Sequence, residues 1–292
     1  MTGLQAHLDS GATTVARAWA VTRADGVVLG FTDHDTDLAF DGVTFAAHSG
    51  LSARALEQVT GLAVDNSEAA GALMDAGLRE SDIMAGRYDG AGLVIWQVNW
   101  ADVAQRQILF RGTLGEITRT GGAFRAELRG LSEALNTQGG RVYHAACAAV
   151  LGDGACRFDL NTPGYFVQVP LVAVTGAELR FAPVPSVSAG WFDHGRVTVQ
   201  TGQAAGLVGL VRQDRAGADG ARVITLWDSI RAPLVAGDML RLDAGCDKQA
   251  GTCRLKFDNF LNFRGFPHIP GEDWMTAYPR QGQPNRGGRI RG

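Results

Sequence analysis

The sequence predicts a mainly β protein with short helices, a β-rich member of the α+β class. Three observations point there. Apolar and polar residues alternate over short runs, which is the two-residue period of a half-buried strand. Asp-Gly pairs recur between such runs, and this pair suits tight hairpins. The 39 glycines are spread along the chain and not pooled in one linker. At 292 residues the chain is long enough for about two domains with cores of their own.

The elements follow in order. The opening stretch LQAHLDSG, residues 4–11, can form one amphipathic helix with Leu4, His7 and Leu8 on one face. ARAWAVTR and VVLGFTDHD are strand signals, joined by a hairpin turn at Asp25-Gly26. LAFDGVTFAAH reads as a second hairpin about Asp41-Gly42. SEAAGALMDAG is a helix opened by Ser67 as N-cap and stopped at Gly77, and RESDIMAG is a short helix ending at Gly86. After a turn at Asp89-Gly90 comes a long strand containing Trp96 and Trp100. QILFRGTLGEITRTGGAFRAELRG reads as strand, bend and strand, turning at Gly121-Gly122. SEALNTQ, residues 132–138, is a helix leaving this first β region. A second β-rich stretch covers residues 165–242, and LVAGDMLRL near its end has the pattern of a strand closing a small barrel. No internal repeat is evident.

Composition narrows the function. The net charge is −3, so there is no global basic field to hold nucleic acid. Basic residues gather only in the Gly-rich end RQGQPNRGGRIRG, which reads as flexible. No run approaches ~18 apolar residues, and the N-terminus lacks the pattern of a signal peptide. The expectation is a protein made in a reducing cytoplasm without stable membrane insertion. Disulfides are the less favoured use of cysteine there.

Four cysteines stand in two pairs: Cys147 and Cys156 with eight residues between, then 89 residues, then Cys246 and Cys253 with six between. They allow three readings. Free cysteines are often simply buried in cores. Two disulfides are possible in principle. The third reading is one four-thiolate metal site closed across the gap, since tetrahedral sulfur ligation suits zinc or an iron–sulfur cluster. Structural zinc favours a tighter knuckle than either pair offers. Wider loops fit a bulkier cluster, but spacing alone leaves both metals open. Lys248, Arg157 and Arg254 lie beside the cysteines in sequence, where cations would favour thiolates, and a solvated surface charge is an equal alternative for each.

At these residues a resemblance enters. RVYHAACAAVLGDGACRFDL together with GCDKQAGTCRLKFDNFLNFRGFPHIPGED resembles the baseplate hub proteins of phage-like tails and gene transfer agents. The cysteine-bearing end is also similar to the lambda-type minor tail protein. GLSEALN and GFTDHDTDLAFDGVTF resemble the family too, so the likeness spans most of the chain. It implies tail-hub barrel-like domains plus a small four-cysteine iron–sulfur domain. One [4Fe–4S] cluster would be held by Cys147, Cys156, Cys246 and Cys253, with structural zinc as the alternative. It implies a virion tail protein that forms a homotrimeric ring. Its partners would be the distal tail protein, a tail-tip or fibre-bearing protein and a nearby cell-wall peptidase. DNA would pass through a channel without sequence-specific binding. The chain would then divide into an N-terminal hub domain (1–138), a cluster-binding domain (139–164 plus 243–279), an inserted barrel-like module (165–242) and a basic tail (280–292).

Competing chemistry finds little support in the sequence. TDHDTD, residues 32–37, groups His34 with Asp33, Asp35 and Asp37, but it follows a strand and precedes LAFDG, as polar loops between strands do, and in an extended run the three acids would share one face with the histidine facing away. His268 lies between Pro267 and Pro270 with Glu272 and Asp273 beyond, and the prolines are expected to hold this stretch extended near the cysteines. His144 is a neighbour of Cys147 and a ligand only in a zinc alternative. No dinucleotide, P-loop, serine-elbow or zinc-protease motif is present. The expectation is therefore a structural protein and not an enzyme. An iron–sulfur or zinc metalloenzyme on a β scaffold and a carbohydrate-binding adhesion module are the alternatives. Trp96, Trp100, Trp191 and Trp274 are expected to fill cores and interfaces.

Overall fold

The computed structural model describes residues 3–11, 13–47, 66–67, 79–120, 123–130, 140 and 142–269. The chain divides into two units, Met1–Gly139 and Gly140–Gly292. The regular structure of the described residues is mainly strand, with three short α-helices and one 3-10 turn.

The first unit begins with helix α1 (Gly3–Asp9), which buries Leu4 and half-buries His7 and Leu8. Strands β1 (Val15–Thr22), β2 (Val28–Thr32), β3 (Leu38–Phe40), β4 (Val43–Ala46) and β5 (Asn66–Ser67) follow. Then come helix α2 (Glu80–Met84) and strands β6 (Gly92–Asn99), β7 (Arg106–Thr120) and β8 (Ala123–Gly130). They form one sheet in the order β3-β4-β2-β1-β6-β7-β8-β5. β1 is central and buried on both faces. Its small residues Ala16, Ala18 and Ala20 join Phe40, Phe45 and Val98 in one cluster. Trp19 and Val21 join Phe31, Ile95, Leu114 and Leu128 in another. The alternation of small and large residues thus sorts two faces by the strand period.

Both hairpins expected from Asp-Gly pairs are present. At Asp41-Gly42 the φ angles are 52° and 75°, as a two-residue turn with both central positions left-handed requires. The helix expected at residues 79–86 is α2, and Gly86 beyond it has a φ of 73°. Trp100 departs from expectation. β6 ends at Asn99, whose buried carboxamide accepts the Ala101 N–H at 3.1 Å and donates to Gln105 at 3.2 Å. That turn ejects Trp100 to the surface, where its ring lies 5.0 Å from that of His34. The helices expected after Ser67 and over residues 132–138, and the Gly121-Gly122 turn, lie outside the described residues.

The second unit holds a closed six-stranded barrel. Its strands are β9 (Phe166–Thr175), β10 (Glu178–Phe181), β11 (Arg196–Val199), β12 (Val208–Ala216), β13 (Arg222–Leu226) and β14 (Met239–Asp243), in the order β10-β13-β12-β11-β14-β9. Inward residues such as Leu171, Phe181, Phe192, Val197, Ile224, Leu240 and Leu242 fill it. β14, read from LVAGDMLRL, does close the barrel, pairing antiparallel with β9 from Met239↔Pro170 to Asp243↔Phe166. The last pair matters most. It brings the point where the chain enters the barrel beside the point where it leaves. The ladder runs one step further, since Ala244 N–H donates to the Tyr165 carbonyl at 2.7 Å.

Candidate metal centre

Closing the barrel removes the 89-residue gap between the cysteine pairs. Gly245 sets the exit path. Its N–H donates to the Trp191 carbonyl at 3.0 Å, and an added Cβ would lie 1.6 Å from the Asp193 carbonyl oxygen. Only glycine permits that approach. Cys246 follows at once, and Cys253 stands on helix α3 (Ala250–Leu255). Asp247 supports this turn, accepting from Gln249 N–H at 2.9 Å and from the Thr252 hydroxyl at 2.7 Å.

The other pair is built by a loop organised on Asp153. Its carboxylate accepts the N–H groups of Val150 (2.8 Å), Ala155 (2.9 Å) and Cys156 (2.6 Å). These bonds hold its pKa below the ordinary carboxylate range. The two halves are then stitched together. Cys147 N–H donates to the Lys248 carbonyl at 2.8 Å, and Lys248 Nζ donates to the Ala149 carbonyl at 2.6 Å. Asn259, beyond α3, donates from Nδ2 to the Cys156 carbonyl at 2.7 Å.

Cys147, Cys156, Cys246 and Cys253 all line one narrow cavity, with Leu151, Phe257 and Phe263 among its apolar walls. All four are free thiols, two buried and two half-buried. Among the described residues, no three His, Cys, Asp or Glu side chains are grouped as ligands of a single ion. Two sulfurs already receive polar N–H groups: Arg264 N–H approaches Cys147 Sγ at 3.3 Å, and Asn259 Nδ2 approaches Cys156 Sγ at 3.5 Å. Burial pushes the Cys253 thiol up to about 11, with the three other cysteines adding to the rise. Burial also raises Cys246, against the pull of Lys248. Such thiols stay protonated near neutral pH unless a cation holds them as thiolates.

The cations are arranged differently from the sequence expectation. Arg157 turns back to the Gly154 carbonyl, and Arg254 lies over the Phe260 ring at 4.3 Å. Lys256 was not anticipated. Its Nζ donates to the carbonyls of Trp191 (2.7 Å) and Gly245 (2.9 Å) and lies 4.3 Å from the Trp191 ring centroid. Burial lowers its pKa, while Cys246 is the first of the groups that oppose the shift. Its place three residues after Cys253 was the only available signal. Tyr165 adds a second strut, its hydroxyl donating to the Lys256 carbonyl at 2.7 Å.

The remaining candidates have structural surroundings. Residues 33–36 of TDHDTD bend between β2 and β3, as expected of a polar loop between strands. Asp33 accepts the Arg17 N–H and Asp37 the Ala47 N–H, so both acids fix backbone. His34 bonds within its own turn to Thr36. Residues 267–268 form a turn where an extended segment was expected, with Ile269 N–H donating to the Phe266 carbonyl at 3.0 Å. The stretch does lie near the Cys147 segment, since Phe266 N–H donates to the His144 carbonyl at 2.9 Å. His268 is exposed, while Glu272, Asp273 and Trp274 lie outside the described residues. Trp191 packs half-buried against the barrel core.

Comparison with known proteins supplies the context for this geometry. Residues 1–159 match a family described as baseplate hub protein, N-terminal attachment domain. Residues 190–273 match a family described as phage conserved hypothetical protein BR0599. Among solved structures, the chain is similar to one in a "Virion of native gene transfer agent (GTA) particle", with 58% identity, a TM-score of 0.89 and 99% of each chain covered. No curated protein sequence matches it.

Proposed function

The chain belongs to the baseplate hub protein family of phage-like tails, and from that premise we propose that it forms a tail-tip ring whose subunits are each tied together by a [4Fe–4S] cluster. It is a structural component of the particle tail. In the finer reading the ring is a homotrimer. It joins the distal tail protein on one side to a tip or fibre-bearing protein on the other, near a cell-wall peptidase. The net charge of −3 suits a channel through which DNA passes without being gripped. No enzymatic step is assigned to it.

The observation that carries the cluster is the convergence of all four cysteines on one cavity. The eight and six residues between the paired cysteines make wider loops than a zinc knuckle's and suit the bulkier cluster. The donor set fits: four cysteines, N–H groups aimed at two sulfurs, and a half-buried lysine nearby. When bound, the cluster supplies a covalent tie between the segments flanking the barrel. Its binding free energy then becomes folding free energy. Four cysteine ligands leave no open coordination position, which favours this role over that of a metalloenzyme.

The test is genetic and visual. Particles from a producer lacking this chain should carry tails that end without a baseplate and should fail to deliver DNA. Wild-type chain supplied in trans should restore both. Complete baseplates and undiminished delivery without it would overturn the hub role.

A further inference from the structure

Two exposed apolar features flank the thiolate cavity. One is an open cleft of about 390 Å³ that shares Leu151, Cys246 and Lys248 with it. That size is in the range of true binding pockets. Leu210 and Trp227 on its wall are 62% and 59% exposed. The Arg212 guanidinium lies over the Trp227 ring at 5.4 Å and has no carboxylate partner among the described residues. The other feature is a knob. From the flank where Asn259, Asn262 and Phe263 line the cavity, α3 and the 3-10 turn Phe260–Asn262 present Leu255 and Leu261. These are 87% and 99% exposed. Asp258 sits between them in sequence, exposed, with a φ of 45° and no cationic partner among the described residues.

A single exposed leucine means little. Here two nearly bare leucines and an unpaired acid stand on one side of a small site, and an apolar cleft with an unpaired cation stands on another. We infer that the knob of one copy enters the cleft of the next, Leu255 and Leu261 against Leu210 and Trp227, with Asp258 meeting Arg212. The inference rests on the ring reading above and assigns the contact that builds the ring. A convex patch and a concave patch at different places on one chain make a head-to-tail contact, the kind that builds a ring when its rotation divides a full turn. A two-fold dimer would instead need one self-complementary patch. The acid and cation add register and exclude wrong pairings. Because the thiolate cavity is lined from both flanks, the metal site also fixes the knob relative to the cleft.

The experiment uses assembled particles in which p-benzoylphenylalanine replaces Leu261. After irradiation, the expected product is a covalent dimer of this chain, with position 261 bonded to a peptide within residues 196–227 of the second copy. Bonding to a different tail protein, to another region of the chain, or to nothing overturns the inference and leaves the hub role standing. Absence of wild-type chain from the particles defeats the hub role and the inference with it. Charge reversal supplies the second arm. Arg212→Asp and Asp258→Arg should each lower incorporation about tenfold, and the double reversal should recover most of it. Single reversals that incorporate like wild type would also overturn the assignment.

Discussion

Asp153 touches no sulfur through its side chain, yet it shapes the loop that presents Cys156. Its carboxylate is held low by N–H bonds from Cys156, Val150 and Ala155. A depressed carboxylate contributes stability above its unfolded pKa of about 3.9, and that contribution is lost as pH falls through the lower folded value. Folding stability should therefore fall on acidification below the ordinary carboxylate range. Asp153→Ala should lower metal retention already at neutral pH, as colour or metal content after gel filtration would report. Lys256 is a residue of the same kind. Lys256→Met leaves the Gly245 carbonyl without the lysine and the Trp191 carbonyl with only the Gly245 N–H, at a cost of about 1–3 kcal/mol. Urea denaturation followed by tryptophan fluorescence would measure it. At this scale the sequence made the four cysteines legible through their pairing. It did not reveal Asn259 or Lys256, because their partners come together only once the barrel has closed; Asp153 bonds locally, but one aspartate in a Gly-rich loop carries no signal of that turn. Arg157 and Arg254 are exposed, the surface-charge alternative that the sequence left equally open, because adjacency in sequence says nothing about where a long side chain turns.

At the scale of elements, the decisive feature is the β14–β9 seam, which brings both cysteine segments to one end of the barrel. Gly245 and Gly251 give a paired test of it. Gly245→Ala forces a Cβ onto the Asp193 carbonyl and should destabilise the protein by about 3 kcal/mol or more. Gly251→Ala, in α3 with open space around it, should be neutral or stabilising by about 0.5–1 kcal/mol. Chemical denaturation of the two variants side by side checks the contrast. A further element-level test lies in the buried pair of Arg222 on β13 and Asp214 on β12, whose side chains are 5% and 0% exposed. Asp214→Ala strands the guanidinium and should cost about 3–5 kcal/mol. The hairpins were readable because Asp-Gly pairs announce left-handed turn positions. The end of β6 was not, because Asn99 stops the strand through partners in its following turn. The parallel pairing of β2 with β4 was not readable either, since alternation gives a strand's faces but not its neighbours.

For the whole molecule, the mainly β class followed directly from alternation and turn chemistry. The closed six-stranded barrel was visible only at its last strand. Which strands pair, and that closure joins two cysteine pairs across 89 residues, are consequences of topology. The family match gives this topology its place in a tail, and the thiolate cavity is where the proposed cluster would sit. Its presence is decided by iron, zinc and acid-labile sulfide per chain, on protein purified without oxygen, beside Cys246→Ser. A cluster gives about four irons and four sulfides per chain in the wild type, and their loss or strong reduction in the variant. Stoichiometric zinc without sulfide, or no metal at all, would contradict it.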